Sequence, residues 1–308
     1  MTHSRDPQPG PKGHRRSLHF VPGGNERMFA RALDLAADSL ILDLEDAVTP
    51  EYKERARDAV CEWLRDNDFG GKECLVRINP QDSPWGRADL EAVVACRPDG
   101  LMLPKVVTRG NVDAIDQIVG SLESEQGMTA GAISLVLIGA ELPEAVFNLP
   151  ALARNPRVDA VTWGAEDLGA ILGAHAKRDA DGNYLEVFSY VRATCLLAAA
   201  AAEAQAVDAV YVDFSDTKGL EKEALTAAAM GFRGKLTIHP DQVDIVNAAF
   251  TPGEAAVAEA QALIEAFEAQ QAGGHMAFSF NGRMVDVPHL KKARELLALA
   301  ARISGQTS

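Results

Sequence analysis

The chain is short of cysteine, of basic residues and of long apolar stretches, and each shortage removes a class of protein. Its four cysteines, Cys61, Cys74, Cys96 and Cys195, are widely spaced, with no C-x-x-C pair and no histidine at zinc-finger spacing. That excludes a disulfide-stapled scaffold or a structural zinc module and leaves reduced, buried thiols as the expectation. Lys and Arg number 30 against 44 Asp and Glu, a net charge of −14 with a pI near 5.0. A nucleic-acid partner, which needs a basic face to displace counterions from phosphate, is therefore not expected. The longest apolar run, Cys195–Ala202, is mostly alanine and far short of the ~20 residues of a spanning helix, so no membrane partner is expected either. Met1–Arg16 carries Pro7, Pro9, Gly10, Pro11 and Gly13 among charges and has no apolar h-region, the composition of a disordered tail over residues 1–15 and not of a signal peptide; a cytoplasmic location follows as the expectation. Neither G-x-G-x-x-G nor G-x-x-x-x-G-K-[ST] occurs, which counts against an open, doubly wound nucleotide-binding sheet.

What is present is alternation. Short β-rich runs at Ser17–Val21, Ser39–Asp43, Glu73–Ile78, Gly100–Leu103, Ile133–Ile138, Asp159–Trp163, Asp208–Asp213 and Lys235–Ile238 make eight expected strands. Between them lie amphipathic stretches of helical period, among them Glu51–Arg65, Val112–Leu122, Val187–Ala204 and Lys218–Met230. Eight βα units predict an α/β fold of the TIM (β/α)8 barrel type over residues 16–250. A C-terminal extension follows over residues 251–308. It holds a break at Thr251-Pro252-Gly253, a long Ala/Glu-rich helix to about Gln271, a hairpin around Asn281-Gly282 and a last helix from Pro288 to about Arg302. This piece is too small for a core of its own and is expected to pack on the barrel or on an adjacent subunit.

In a barrel of this kind the residues after each strand converge on one face. Here they are Asp43, Glu45 and Asp46 after strand two, Arg77 and Asn79 after strand three, Lys105 after strand four and Glu141 after strand five. Glu166 and Asp167 follow strand six, Asp213 and Asp216 strand seven, and His239 strand eight. Carboxylates without thiols and with one histidine suit a hard divalent ion such as Mg²⁺, which uses one or two carboxylates and keeps waters for a substrate to displace. The same acids would also serve as helix caps, Asp46 for the helix near Glu51 and Asp167 for a short helix at Leu168–Leu172, and spacing leaves both readings open. Arg77 offers a cationic fork for a carboxylate or an enolate oxygen. His239 reads as a hydrogen-bonded structural residue, and Lys105 as an ion-pair partner or a phosphate ligand.

Arg16-Ser17 with Phe20-Val21-Pro22-Gly23, Asp43-Leu44-Glu45-Asp46-Ala47-Val48, Val76-Arg77-Ile78-Asn79, Leu103-Pro104-Lys105-Val106, Gly164-Ala165-Glu166-Asp167-Leu168, Asp213-Phe214-Ser215-Asp216 and Lys235-Leu236-Thr237-Ile238-His239-Pro240 together resemble the successive signatures of the citrate lyase β-subunit-like family. That family lies within the aldolase superfamily named for 4-hydroxy-2-oxoheptanedioate aldolase, and the likeness runs from about Arg16 to about Arg302. It implies a Mg²⁺-dependent retro-Claisen lyase of malyl-CoA, citramalyl-CoA or citryl-CoA type, with Mn²⁺ as a substitute ion, assembled as a homotrimer or hexamer. Its substrate would be a CoA thioester. Residue by residue, the resemblance implies metal ligation by Glu141 and Asp167, and substrate binding and catalysis by Arg77. It implies that Glu45 and Asp46 hold metal-bound waters or a neighbouring group, and that Phe20, Arg27, Arg31 and Lys105 contact CoA. Asp286, in Asn281-Gly282-Arg283-Met284-Val285-Asp286-Val287-Pro288, matches an aspartate that reaches an adjacent subunit's site and transfers a proton. One departure stands out: relatives commonly carry Glu-Thr after strand five, whereas Leu142 follows Glu141 here. The resemblance leaves two rival readings, a (3S)-malyl-CoA thioesterase or malate-synthase-like enzyme, and a partner-dependent β subunit of a citrate lyase complex.

Overall fold

The computed structural model describes residue 7, residues 13–272 and residues 276–305. Positions 1–6 and 8–12 of the expected tail, residues 273–275 between the expected long helix and hairpin, and residues 306–308 of the expected extension lie outside the described residues. In chain order the elements are β1 (Ser17–Pro22), α1 (Glu26–Leu33), β2 (Ser39–Asp43), α2 (Lys53–Asp66), β3 (Glu73–Arg77), α3 (Gly86–Val94), β4 (Gly100–Leu103), α4 (Arg109–Glu125), β5 (Ser134–Ile138), α5 (Pro143–Leu152), β6 (Val158–Thr162), α6 (Ala165–Ile171), α7 (Glu186–Ala201), β7 (Gln205–Asp208), α8 (Thr217–Met230), β8 (Gly234–Thr237), α9 (Gln242–Phe250), α10 (Glu254–Ala272), β9 (Phe278–Phe280), β10 (Arg283–Val285) and α11 (Val287–Ile303). The chain divides into two compact units at Asn247/Ala248.

In the first unit β1 to β8 pair in parallel and in sequence order, and β8 closes on β1, giving the TIM barrel. Side chains alternate along each strand, so one set fills the barrel and the other meets the helices. Leu18, Ile41, Leu75, Met102, Val136, Ala160, Val207 and Leu236 form the filled interior, all but Leu236 with no exposed surface. The intervening Leu40, Leu42, Val76, Leu101, Leu135 and Val161 are equally buried, which is why these strands read as continuous apolar runs.

Two buried ionic clusters brace the barrel. Arg15, assigned by composition to the tail, is 1% exposed and makes two forked pairs, 2.7 and 2.6 Å to Glu73 and 3.1 and 2.9 Å to Asp159. It ties the starts of β3 and β6 together, and Gly234 admits it: a Cβ there would stand 1.6 Å from the Arg15 carbonyl oxygen. Between the barrel and α7 and α8, Lys235 Nζ donates to Asp208 (3.0 Å), Glu223 (2.8 Å) and the Ala209 carbonyl (2.6 Å), so all three of its donors are used. Arg192 forks onto Asp208 at 3.0 and 2.8 Å.

The seventh strand corrects the sequence reading. The ladder runs through Gln205–Asp208, pairing Ala206 with Val161 and Asp208 with Lys235, and has ended before Val210-Tyr211-Val212. The alternation of that later run mimics a strand, while the true strand ends in a charge that only its buried partners make tolerable. Asp213 and Asp216 therefore sit in a loop. Asp216 caps α8, accepting from Gly219 N at 2.9 Å, and also accepts from the Tyr211 hydroxyl at 2.7 Å.

The second unit consists of α10, a two-stranded hairpin and α11. Asn281 and Gly282 take φ of 47° and 76°, the left-handed pair that a tight hairpin turn requires, and Phe280 pairs with Arg283 across it.

Candidate active site

The alternation that fills the barrel with Ile41 and Leu75 brings Asp43 and Arg77, two residues on, into its upper mouth. Arg77 forks onto Asp43, with Nε and Nη2 each 2.7 Å from a carboxylate oxygen, in the planar geometry that arginine shares with carboxylates. Asp43 also accepts from the backbone N–H of Glu45 (2.9 Å) and Ala47 (3.3 Å), so one side chain shapes the turn that carries the next acids. Buried Lys53 and Asn79 hold that turn from behind, donating to the Leu44 carbonyl at 2.9 Å each. The guanidinium lies 4.8 Å from the centre of the Phe20 ring, and its remaining Nη1 faces Glu45 at 3.0 Å and Asp46 at 3.5 Å.

Lys105 joins from the end of β4. Its Nζ is 2.5 Å from Glu45, 3.5 Å from Asp46 and 3.9 Å from Asp167. Its backbone is in the left-handed region, φ 54°, and this turns its N–H onto Glu141 Oε2 at 2.6 Å. Glu141, at the end of β5, is 2% exposed and packs against Gly164, where a Cβ would stand 2.5 Å from the Glu141 Cγ. Burial pushes its carboxyl up to about 8, and the neighbouring Glu45 and Asp167 push the same way. Burial likewise raises Glu45, against the pull of Arg77 and Lys105. Phe20, Asp43, Asp46, Arg77, Glu141 and Asp167 line a cavity of about 410 Å³ at the C-terminal ends of the strands, with Trp163, Val210 and Ile138 among its apolar walls.

The structure thus brings together Phe20, Glu45, Asp46, Arg77, Lys105, Glu141 and Asp167 from the sequence-derived candidates. Arg27 and Arg31 are not in that cluster: both lie exposed on α1, Arg31 4.0 Å from Asp241. Asp286 is in the second unit, where its carboxylate oxygen lies 2.6 Å from His289 Nδ1 at the start of α11. The capping role weighed for Asp46 is not seen; the short turn at Pro50–Tyr52 follows Thr49, and Asp46 faces Arg77 and Lys105 instead. Asp167 lies in the first turn of α6, which begins three residues before the expected start at Leu168, so Gly164 and not Asp167 holds the cap position. Leu142 occupies the N-cap position of α5 and offers no side-chain cap, a role that a hydroxyl there would fill. His239 stacks on Phe214 and belongs to the loop. Asp43 was given no role by sequence reasoning; its alternation with Ile41, opposite Arg77 on the adjacent strand, was the available signal.

The donor set fits a small oxygen-preferring ion. Among the described residues no three His, Cys, Asp or Glu side chains gather to hold a metal by themselves, but Mg²⁺ needs only one or two carboxylates beside substrate and water oxygens. Glu141 and Asp167 are two such groups, and the Asp167 charge helps raise the proton affinity of Glu141, a repulsion that a bound cation would relieve.

Comparison with known proteins agrees in kind. The HpcH/HpaI aldolase/citrate lyase family matches residues 16–240. A (3S)-malyl-CoA thioesterase of Cereibacter sphaeroides is 35% identical over 94% of this chain and 95% of its own length. The mitochondrial citramalyl-CoA lyase of Rattus norvegicus is 36% identical over 94% of this chain and 87% of its own. Among solved structures, protein CitE from Mycobacterium tuberculosis in complex with magnesium, acetoacetate and coenzyme A superposes with a TM-score of 0.77 at 33% identity, covering 94% of this chain and 98% of that one.

Proposed function

This chain belongs to the HpcH/HpaI aldolase/citrate lyase family of carbon–carbon lyases, and from that premise we propose that it cleaves a short 3-hydroxyacyl-CoA carrying a second carboxylate, reversibly, to acetyl-CoA and a 2-oxo acid. The observation that carries the reading is the meeting of Arg77, Glu141 and Asp167 at one apolar-walled cavity on the catalytic face of the barrel. Glu141 and Asp167 would hold Mg²⁺, or Mn²⁺ in its place, which when bound supplies a Lewis acid for the carboxylate and hydroxyl oxygens of the oxo-acid half. Support for that ion comes from the magnesium in the similar CitE structure.

The chain's own groups supply the rest. Asp43 fixes the Arg77 fork, so the Nη1 corner, which faces Glu45 and Asp46, is preorganised for charge that grows as the C–C bond breaks. Phe20 covers one face of that fork and excludes water from it. Lys105 neutralises Glu45 and orients Glu141 through its backbone. In the assembly that the family resemblance suggests, a trimer or hexamer, Asp286 of a neighbouring copy would return the proton to the acetyl-CoA enolate carbon.

A second reading, hydrolysis of the same thioester, has the support of the thioesterase relative, which this chain matches about as well as the lyase. Incubating the purified protein with Mg²⁺ and a panel of malyl-CoA, citramalyl-CoA and citryl-CoA separates them. Acetyl-CoA appearing with equimolar glyoxylate, pyruvate or oxaloacetate is the expected result. Free CoA without a 2-oxo acid would establish the thioesterase and overturn the lyase.

A further inference from the structure

Away from the cavity, α2 and α3 pack side by side, and their contact holds two thiols that sequence spacing keeps apart. Cys61, on α2, and Cys96, just past the end of α3, both place Sγ against the carbonyl oxygen of Ala92, at 3.6 and 3.3 Å. Two sulfurs sharing one acceptor are neighbours. Both are shielded without being sealed, 6% and 7% exposed, whereas Cys74 and Cys195 are fully buried. The Cys61 thiol beside it, aided by the Arg65 guanidinium on α2 and opposed by burial, holds the Cys96 thiol below its ordinary value. By contrast, the adjacent Cys96 sulfur and burial push Cys61 up, and burial pushes Cys195 up. An attacking sulfur and a resolving one therefore stand side by side.

We propose that Cys61 and Cys96 are a redox-active dithiol, a modification site at which a hydroperoxide converts the pair to a disulfide joining α2 to α3. In the first step the Cys96 thiolate attacks a peroxide oxygen; the S–O bond forms, the O–O bond breaks, and the departing hydroxide takes up a proton as water. In the second step the Cys61 sulfur displaces the sulfenic hydroxyl; the S–S bond forms, the S–O bond breaks, and the Cys61 proton leaves with that hydroxyl as a second water. For hydrogen peroxide the balance is two thiols oxidised by two electrons and one peroxide reduced to two waters. The site lies outside the catalytic cavity, and nothing in it depends on a metal or on the proposed reaction.

The test treats the full-length protein with stoichiometric hydrogen peroxide, alkylates remaining thiols and maps peptides without reductant. The expected result is a Cys61–Cys96 cross-linked peptide, a fall from four titratable thiols to two in denaturant, and full reversal by dithiothreitol. Because a disulfide restricts the unfolded chain, oxidised wild-type protein should also melt at a higher temperature than the reduced form, a shift absent from Cys61→Ser. In Cys61→Ser, dimedone should label Cys96; in Cys96→Ser, Cys61 should stay unlabelled. Four thiols surviving peroxide, a cross-link through Cys74 or Cys195, or label on Cys61 in place of Cys96 would each overturn the assignment.

Discussion

Glu141 offers a thermodynamic test of the cavity that needs no substrate. In the unfolded chain its carboxyl titrates at an ordinary value, 4.5, whereas burial in the folded protein raises it to about 8. Between those values the folded state holds a proton that the unfolded state has released. Stability is therefore highest at the acidic end and declines as pH rises through the window, the reverse of a salt-bridged carboxylate. At about 1.4 kcal/mol per unit of displacement, the full effect reaches a ceiling of about 5 kcal/mol by roughly pH 8. Glu141→Gln keeps the shape and the acceptor for Lys105 N–H but cannot ionise. Urea unfolding in EDTA, followed by circular dichroism between about pH 5 and pH 8.5, should show wild-type stability falling relative to the variant across that range. Saturating Mg²⁺ should flatten the wild-type profile, since a metal holds only the ionised carboxylate. Parallel profiles for wild type and Glu141→Gln in EDTA would refute the reasoning, because they would mean that Glu141 is already ionised in the folded protein.

Further outcomes follow from the other clusters. Asp43→Asn should leave the fold intact but release the Arg77 fork, lowering kcat/KM on the order of 10²-fold; an unchanged value in a steady-state cleavage assay would remove Asp43 from the positioning of Arg77. Lys235→Met strands Asp208 and Glu223 without their shared cation, a loss of about 3–5 kcal/mol readable in chemical denaturation; a variant as stable as wild type would mean that Arg192 on Asp208 and Arg178, whose Nη1 lies 2.5 Å from Glu223, suffice. Asp286→Ala should suppress deuterium exchange into the methyl group of acetyl-CoA, and exchange at the wild-type rate would exclude it from proton transfer.

Much of the architecture was legible because it depends on short-range pattern. The bounds of β2 and β4 coincide with the expected strands, since their uninterrupted apolar residues are buried on both faces and stop at the turn. Arg77 and Glu141 were legible for a related reason: a barrel delivers whatever follows a strand to one face. The misses are long-range. Nothing near Asp208 announces that Lys235 and Arg192 will neutralise it, so a strand ending in a buried acid was displaced onto the Val-Tyr-Val run beyond it. Arg15 sits in a Pro/Gly-rich stretch whose composition says tail, while its partners, Glu73 and Asp159, come from two strands far along the chain. Cys61 and Cys96 show no spacing that marks a pair; only the packing of α2 on α3 makes them one.

The left-handed backbone at Lys105 has a consequence for which substitutions the site tolerates. One position delivers an ammonium to Glu45 through its side chain and an amide to Glu141 through its main chain, and only the first of these depends on side-chain charge. Glycine or asparagine, which accept positive φ readily, should keep the amide in place while losing the ammonium; valine, whose branched Cβ resists that conformation, should lose both. Tolerance at residue 105 is accordingly ordered by backbone preference before charge, and a replacement that conserves neither polarity nor size can be milder than one that looks more alike.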